Sequence, residues 1–348
     1  LKEGEVQGSD VVAHSAGVLD IRTNILADTD ALYLTAIDKY GHELWRWTFP
    51  VNKLNQQTEQ LSPLSSRPAY TETENELTVK ANKRTFIFSK KDGQLKGVSV
   101  DNRKINFANG PRFIGARRAD RSLDQFYNHD DEKAKEKDRT YSEFPDAAVF
   151  TKLDVKEDGG NLVVTANYKL GNLDKAQWTI NPSGELALDY TYNFSGVVDL
   201  MGIRFDYPED QVISKRWLGA GPYRVWQNRI HGTQYDVWEN DYNDPIPGET
   251  FTYPEFKGYF GDVSWMNIQT KEGTISLTNE TPDAYIGVYQ PRDGRDRLLY
   301  TLPESGISVL NVIPPVRNKV NSTDLCGPSS QPKWVNGPQT GRVIFRFM

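Results

Sequence analysis

Several things are scarce in this chain, and each scarcity excludes a class. Among 348 residues there is one cysteine, Cys326, so neither a disulfide framework nor a thiolate zinc cluster can form within the chain. Only four histidines occur (His14, His42, His129 and His231), which leaves little for imidazole-based metal binding or acid–base chemistry. No apolar run approaches the roughly 18 residues a membrane-spanning helix needs. No Lys/Arg stripe is present, and with a net charge of -6 nucleic acid is a poor partner. Helical periodicity is missing too. The nearest approach, Leu123 to Asp138, contains the charge run Asp130–Lys137 and reads as a solvated loop or short surface helix. The chain opens on the polar Leu1-Lys2-Glu3-Gly4-Glu5, with neither Met nor a secretory h-region, which reads as a processing boundary.

Aromatic residues and short alternating runs are plentiful. Phe, Trp and Tyr make up 11% of the chain, with 8 Trp and 17 Tyr, so the rings either fill a β core or face a ligand. Sugars suit the second role, because the C–H faces of pyranose rings pack on flat aromatic surfaces. Period-2 alternation marks half-buried strands at 77–80, 86–88, 95–100, 162–170, 178–181, 186–194, 263–268, 275–278, 307–312 and 343–347. Turn chemistry joins them at Lys91-Asp92-Gly93, Asp158-Gly159-Gly160, Pro182-Ser183-Gly184 and Lys271-Glu272-Gly273. The expected class is all-β. Before a polar, Ser/Pro-containing linker at 53–75, strand-like text at Val11–Ile21, Ala31–Ile37 and Glu43–Phe49 makes 1–52 a segment of a small β-sandwich. Residues 76–348 run on as one large two-sheet unit.

Chemistry-bearing residues concentrate between Trp217 and Glu255. Gly219-Ala220-Gly221-Pro222 permits a tight backbone turn. After it come Trp226, Arg229, His231, Tyr235, Trp238, Glu239, Asn240, Asp241 and Glu255. Interleaved rings, carboxylates, amides and guanidinium groups suit a sugar site, where rings stack and polar groups bind hydroxyls. An irregular loop packed on a sheet accounts for the same composition. Asp236, Glu239, Asp241 and Asp244 offer oxygen ligands for Ca²⁺. They lack EF-hand spacing and read as a solvated acidic loop, so neither metal nor cofactor is expected.

Five landmarks, in order, carry a resemblance. They are Thr85–Leu95 with its Asp92-Gly93 turn, Gly110-Pro111-Arg112-Phe113, Leu218–Pro222 followed by Arg229, Tyr253-Pro254-Glu255 through Gly258 to Asp262–Trp265, and Cys326-Gly327 to Trp334. Together they resemble the large C-terminal β domain of glycoside hydrolase family 2 β-galactosidases, the β-galactosidase small chain. Two passages depart from that pattern: Ile114–Asp120 and Ser329–Trp334. The resemblance implies a galactose mutarotase-like β-supersandwich, preceded by the end of an immunoglobulin-like sandwich. It implies carbohydrate as partner, together with a catalytic (β/α)8 barrel elsewhere in the parent polypeptide that holds the catalytic carboxylates. It also implies a bacterial periplasmic or extracellular setting, and it leaves a homo-oligomer open. Trp334 takes the role of the family's sugar-contacting Trp. The substrate-binding set expected here is Trp334, Trp226, Arg229, Trp238, Glu239 and Glu255, with no catalytic residue in the chain. Two other readings stay open: a stand-alone mutarotase- or lyase-like enzyme using His231, and a purely structural or oligomerisation domain.

Overall fold

Backbone polar groups dominate the architecture. A chain with few helix-forming stretches must satisfy its N–H and C=O groups between strands. The computed structural model describes residues 3–8, 10–21, 29, 31–51, 66–118, 141–242, 258–288, 302–303, 305–316 and 327–348. It contains no α-helix among them, and no helix there is long and apolar enough to cross a membrane. The chain divides into two units, Leu1–Asn52 and Lys53–Met348.

In the first unit, β1 (Ala31–Ile37) pairs antiparallel with β2 (Glu43–Pro50). The turn is built by Asp38, whose carboxylate accepts the backbone N–H groups of Tyr40 at 2.8 Å and His42 at 2.9 Å. The register sets Leu32, Leu34 and Ala36 opposite Phe49, Trp47 and Trp45, so six apolar residues share one face. The strand expected at Val11–Ile21 does not form. Val12 and Val18 are 80% and 92% exposed. Apolar residues alone do not make a strand without a neighbouring ladder to pair with.

The second unit holds the remaining strands: β3 (Ala69–Glu72), β4 (Glu76–Ala81), β5 (Arg84–Ser89), β6 (Leu95–Val100), β7 (Arg103–Ile105), β8 (Ala108–Arg118) and β9 (Tyr141–Glu143). They continue with β10 (Val149–Asp158), β11 (Asn161–Lys169), β12 (Leu173–Ile180), β13 (Leu186–Val198), β14 (Leu200–Asp206), β15 (Val212–Gly221) and β16 (Gln234–Asp241). Last come β17 (Trp265–Thr270), β18 (Gly273–Asn279), β19 (Tyr285–Gly287), β20 (Ile307–Val312) and β21 (Lys333–Phe347). β3 lies inside the span expected to be linker. The polar text there still pairs, Ala69–Glu72 against Leu77–Lys80, because β4 presents an open edge.

Two antiparallel sheets result. One has nine strands in the order β10-β11-β12-β13-β21-β18-β17-β15-β16. The other has ten, ordered β19-β20-β14-β8-β6-β5-β4-β3, with β7 on β6 and β9 on β8. Their facing sides meet through aromatic rings. Phe107 stacks on Phe205 at 4.6 Å and packs against Phe345 and Phe347 at 5.0 and 5.3 Å. Trp178 meets Phe88 and Phe205 at 6.0 and 5.9 Å, and Phe113 meets Tyr192 at 5.4 Å. Each such buried ring contributes about 1.5–3 kcal/mol over an exposed one. The buried Arg84 ties the two sheets: its Nε donates to the Phe347 carbonyl at 3.0 Å and its Nη1 to the carbonyls of Asn82 and Ser183 at 3.1 and 3.3 Å.

A second apolar cluster covers the other face of the ten-stranded sheet. Ile114, Ala116, Leu200 and Leu310 project there and are capped by Val225, Trp226, Tyr259, Ile313 and Val316. This cap positions the segments taken up next.

Candidate functional site

The Gly-rich motif falls at the end of β15. A Cβ at Gly219 would press on backbone of Gly261, Asp262 and Val263, and one at Gly221 would strike the Trp238 indole. The glycines therefore admit two close approaches, one by backbone and one by a flat ring. The Trp238 indole N–H donates to the Gln234 carbonyl at 3.1 Å, and its partly buried ring packs on the main core.

Beyond the motif the chain makes a tight loop. The Arg229 N–H donates to the Trp226 carbonyl at 2.8 Å, and the Trp226 N–H to the Arg229 carbonyl at 3.3 Å. Trp226 points inward. It is fully buried and meets Tyr259 edge-on at 5.8 Å with an interplanar angle of 86°. Burial pushes the Tyr259 hydroxyl well above the ordinary tyrosine range. Trp226 is thus a core ring, which corrects its assignment to sugar contact: no face of it is open to stack on a ligand. The sequence placed it in an irregular loop, and the loop spends this ring on covering β8, β14 and β20. Arg229, by contrast, is exposed.

Strand alternation separates two other members of the expected set. On β16, Trp238 turns toward the core, whereas Glu239 is exposed and stands opposite Arg216 on the other face. The Arg216 guanidinium lies over the Trp265 ring at 5.3 Å. The same alternation puts Asp236 on the face opposite Glu239 and Asp241, while Asp244 lies outside the described residues. No group of three or more His, Cys, Asp or Glu able to hold a metal occurs among the described residues. Glu255 also lies outside the described residues, as do Cys326 and the charge run at 130–137. His231 is exposed at the tip of the turn before β16. Next to it the Tyr223 hydroxyl donates to the Gly232 carbonyl at 2.9 Å.

The fold does unite the 226–229 loop with the terminal turn. The Gln227 amide donates to the Gln331 carbonyl at 2.8 Å. The Asn228 amide N donates to the Ser330 hydroxyl at 2.9 Å and to the Val316 carbonyl at 2.7 Å, and its Oδ1 accepts the Val316 N–H at 2.9 Å. Ser330 is fully buried. β21 begins directly after Pro332, and Trp334 stands 70% exposed opposite Val197 of β13. Val197 also lines a cleft of about 520 Å³ with Arg117, Phe144, Asn172, Phe194 and Ser195. Arg117 belongs to the first passage that departs from the family pattern, and Trp334 to the second. Both therefore reach the β13 end of the sandwich. Gln227, Asn228 and Ser330 were not foreseen. The only sequence signal for the first two was an amide pair directly after Trp226, and for Ser330 its place in the terminal Ser/Pro turn.

Residues 80–314 match the family model described as the beta galactosidase small chain. The chain belongs to the beta galactosidase small chain family. This small-chain domain is also similar in backbone path to the galactose 1-epimerase of Lactobacillus acidophilus NCFM, at 9% identity and a TM-score of 0.44, over 82% of this chain and 99% of that one. A GalM/aldose epimerase homologue from C. elegans is similar at 8% identity and a TM-score of 0.33, over 81% of this chain and 99% of that one. No curated protein matches the small-chain domain.

Proposed function

We propose that this chain is the C-terminal, non-catalytic region of a family 2, β-galactosidase-like glycoside hydrolase. In that reading the second unit is a supersandwich that supports the catalytic barrel of the same polypeptide and lends Trp334 to the sugar. The hairpin of the first unit, with its one-sided apolar face, is then the end of an immunoglobulin-like sandwich.

The observation that carries the reading is the setting of Trp334. Of the six tryptophans in Lys53–Met348, Trp178, Trp217, Trp226 and Trp265 are shut in the interior and Trp238 is half-buried, while Trp334 is 70% exposed. Its backbone is not loose. The preceding turn is pinned through Gln227 and Asn228, and the strand pairs with β13. A ring held in place loses little freedom when a ligand stacks on it, so more of the contact energy appears as affinity. His231, the base required by the stand-alone reading, lies at an exposed turn with no carboxylate hydrogen-bonded to it among the described residues.

The test is kinetic. In the parent polypeptide, Trp334→Ala removes stacking of roughly 1–3 kcal/mol, by analogy with base stacking on aromatic rings, and KM should rise about ten- to hundredfold with kcat little changed. The purified 348-residue chain should leave aryl galactosides intact and should not speed mutarotation. Unchanged kinetics in the variant, or turnover by the chain alone, would overturn the proposal.

A further inference from the structure

The open face of β13 and β21 does not end at Trp334. Rungs of paired side chains run along it: Val197 with Trp334, Ser195 with Asn336, Asn193 with Pro338, Thr191 with Thr340, and Asp189 with Arg342. The Ser195 hydroxyl donates to Asn336 Oδ1 at 2.5 Å, which places both side chains on this face. At the far end lies a cleft of about 310 Å³, lined by Lys175, Asp189, Thr191, Glu280, Thr340 and Arg342. That volume is at the small end of the range for ligand pockets.

Arg342 organises the cleft. Its Nη1 lies 2.5 Å from Asp189 and its Nε 3.0 Å from Glu280, with the side chain 40% exposed. Its backbone is held on both sides by Thr281, whose hydroxyl donates to the Arg342 carbonyl at 3.0 Å and accepts the Arg342 N–H at 2.9 Å. On the opposite, core-facing side of the strand a Cβ at Gly341 would strike the buried Tyr190 hydroxyl, so the backbone next to Arg342 is closely packed from beneath. Donors and acceptors are therefore preset rather than mobile.

The charges in the lining cancel, two cations (Lys175, Arg342) against two carboxylates (Asp189, Glu280). An ion of either sign would be attracted by one pair and repelled by the other. A neutral molecule bearing several hydroxyls can use all four, donating to the carboxylates and accepting from the cations, with Thr191 and Thr340 adding hydroxyls. We infer that this cleft is a second saccharide-binding site that takes one neutral pyranose ring. It is separate from the Trp334 contact. The eight residue steps from Trp334 to Arg342 span about 27 Å of strand, so the cleft anchors a distant part of a glycan, or a second one, on the same face.

The test uses the whole chain, titrated by calorimetry and by NMR with galactose, glucose, xylose and galacturonate. Saturable binding of at least one neutral sugar is expected, retained in Trp334→Ala. It should weaken by at least about tenfold in Glu280→Gln and in Arg342→Met, since each removes hydrogen bonds to a charged group. Thr340→Val, an exposed and nearly isosteric change, should weaken it with the fold intact and keeps the test sound if a charge variant misfolds. The inference is overturned if none of the neutral sugars binds, if binding survives the three cleft variants, or if galacturonate binds more tightly than galactose. Loss of binding in Trp334→Ala alone would remove this cleft while leaving the Trp334 reading standing.

Discussion

Trp226 and Trp334 carry the same indole, and their surroundings assign them opposite work. Trp226 is sealed beneath its own loop against Tyr259 and the far face of the ten-stranded sheet. Replacing it with alanine leaves a large void and should cost about 3–5 kcal/mol in a denaturant melt. Saccharide binding at the Arg342 cleft should be unchanged in whatever fraction stays folded. A cost below about 1 kcal/mol would mean that the ring is not the core element described here. Trp334, exposed at the start of β21, should be nearly silent in the same melt. The stretch from Trp217 to Glu255 announced aromatic and acidic chemistry in the sequence, but not which ring faced inward. That depends on which way the loop turns at Pro222, and the turn is set by a sheet contributed by β8, β14 and β20.

Among the elements, β21 bears the greatest burden. It lies between β13 and β18, and its two halves differ. Residues 343, 345 and 347 enter the core, while 334, 336, 338 and 340 are exposed. Phe345→Ala removes a ring that touches Phe107, Phe205 and Phe347, and should destabilise the sandwich by about 3–5 kcal/mol in chemical denaturation. A loss of under about 1 kcal/mol would contradict the packing. Only 343–347 of this strand was legible as strand, because only there does apolar alternation survive. β8, β14 and β15 escaped notice for the opposite reason. Ile114 and Ala116 serve one cluster and Phe113 the other, and β14 is buried on nearly every residue. A strand covered on both sides shows no period-2 signal.

At the scale of the whole molecule, the buried tyrosines set an alkaline limit. Burial pushes the hydroxyls of Tyr168, Tyr192, Tyr207 and Tyr259 well above their ordinary value of 10.0, and that of Tyr190 up to about 12. A raised acid pKa in the folded state means that the unfolded chain gives up its proton first. The contribution to stability is whole below pH 10 and is lost as pH rises from 10 through 12 and above. A pH titration followed by tyrosinate absorbance and circular dichroism should show these groups ionising together with unfolding, as one steep step. Gradual ionisation at the ordinary tyrosine value, with the fold intact, would refute the burial assigned to them.

What the sequence by itself determined is the all-β class, most of the half-buried strands and the family. These follow from local rules: alternation, turn residues and ordered motifs act over a few positions. Only the tertiary structure decided that Trp226 is core and Trp334 is rim, that Glu239 turns away from Trp238, and that Lys175, Asp189, Glu280 and Arg342 share one cleft. The last four come from β12, from β13, from the residue after β18 and from β21. Nothing local joins them. They meet because antiparallel pairing brings distant stretches of chain to within a strand's spacing of one another.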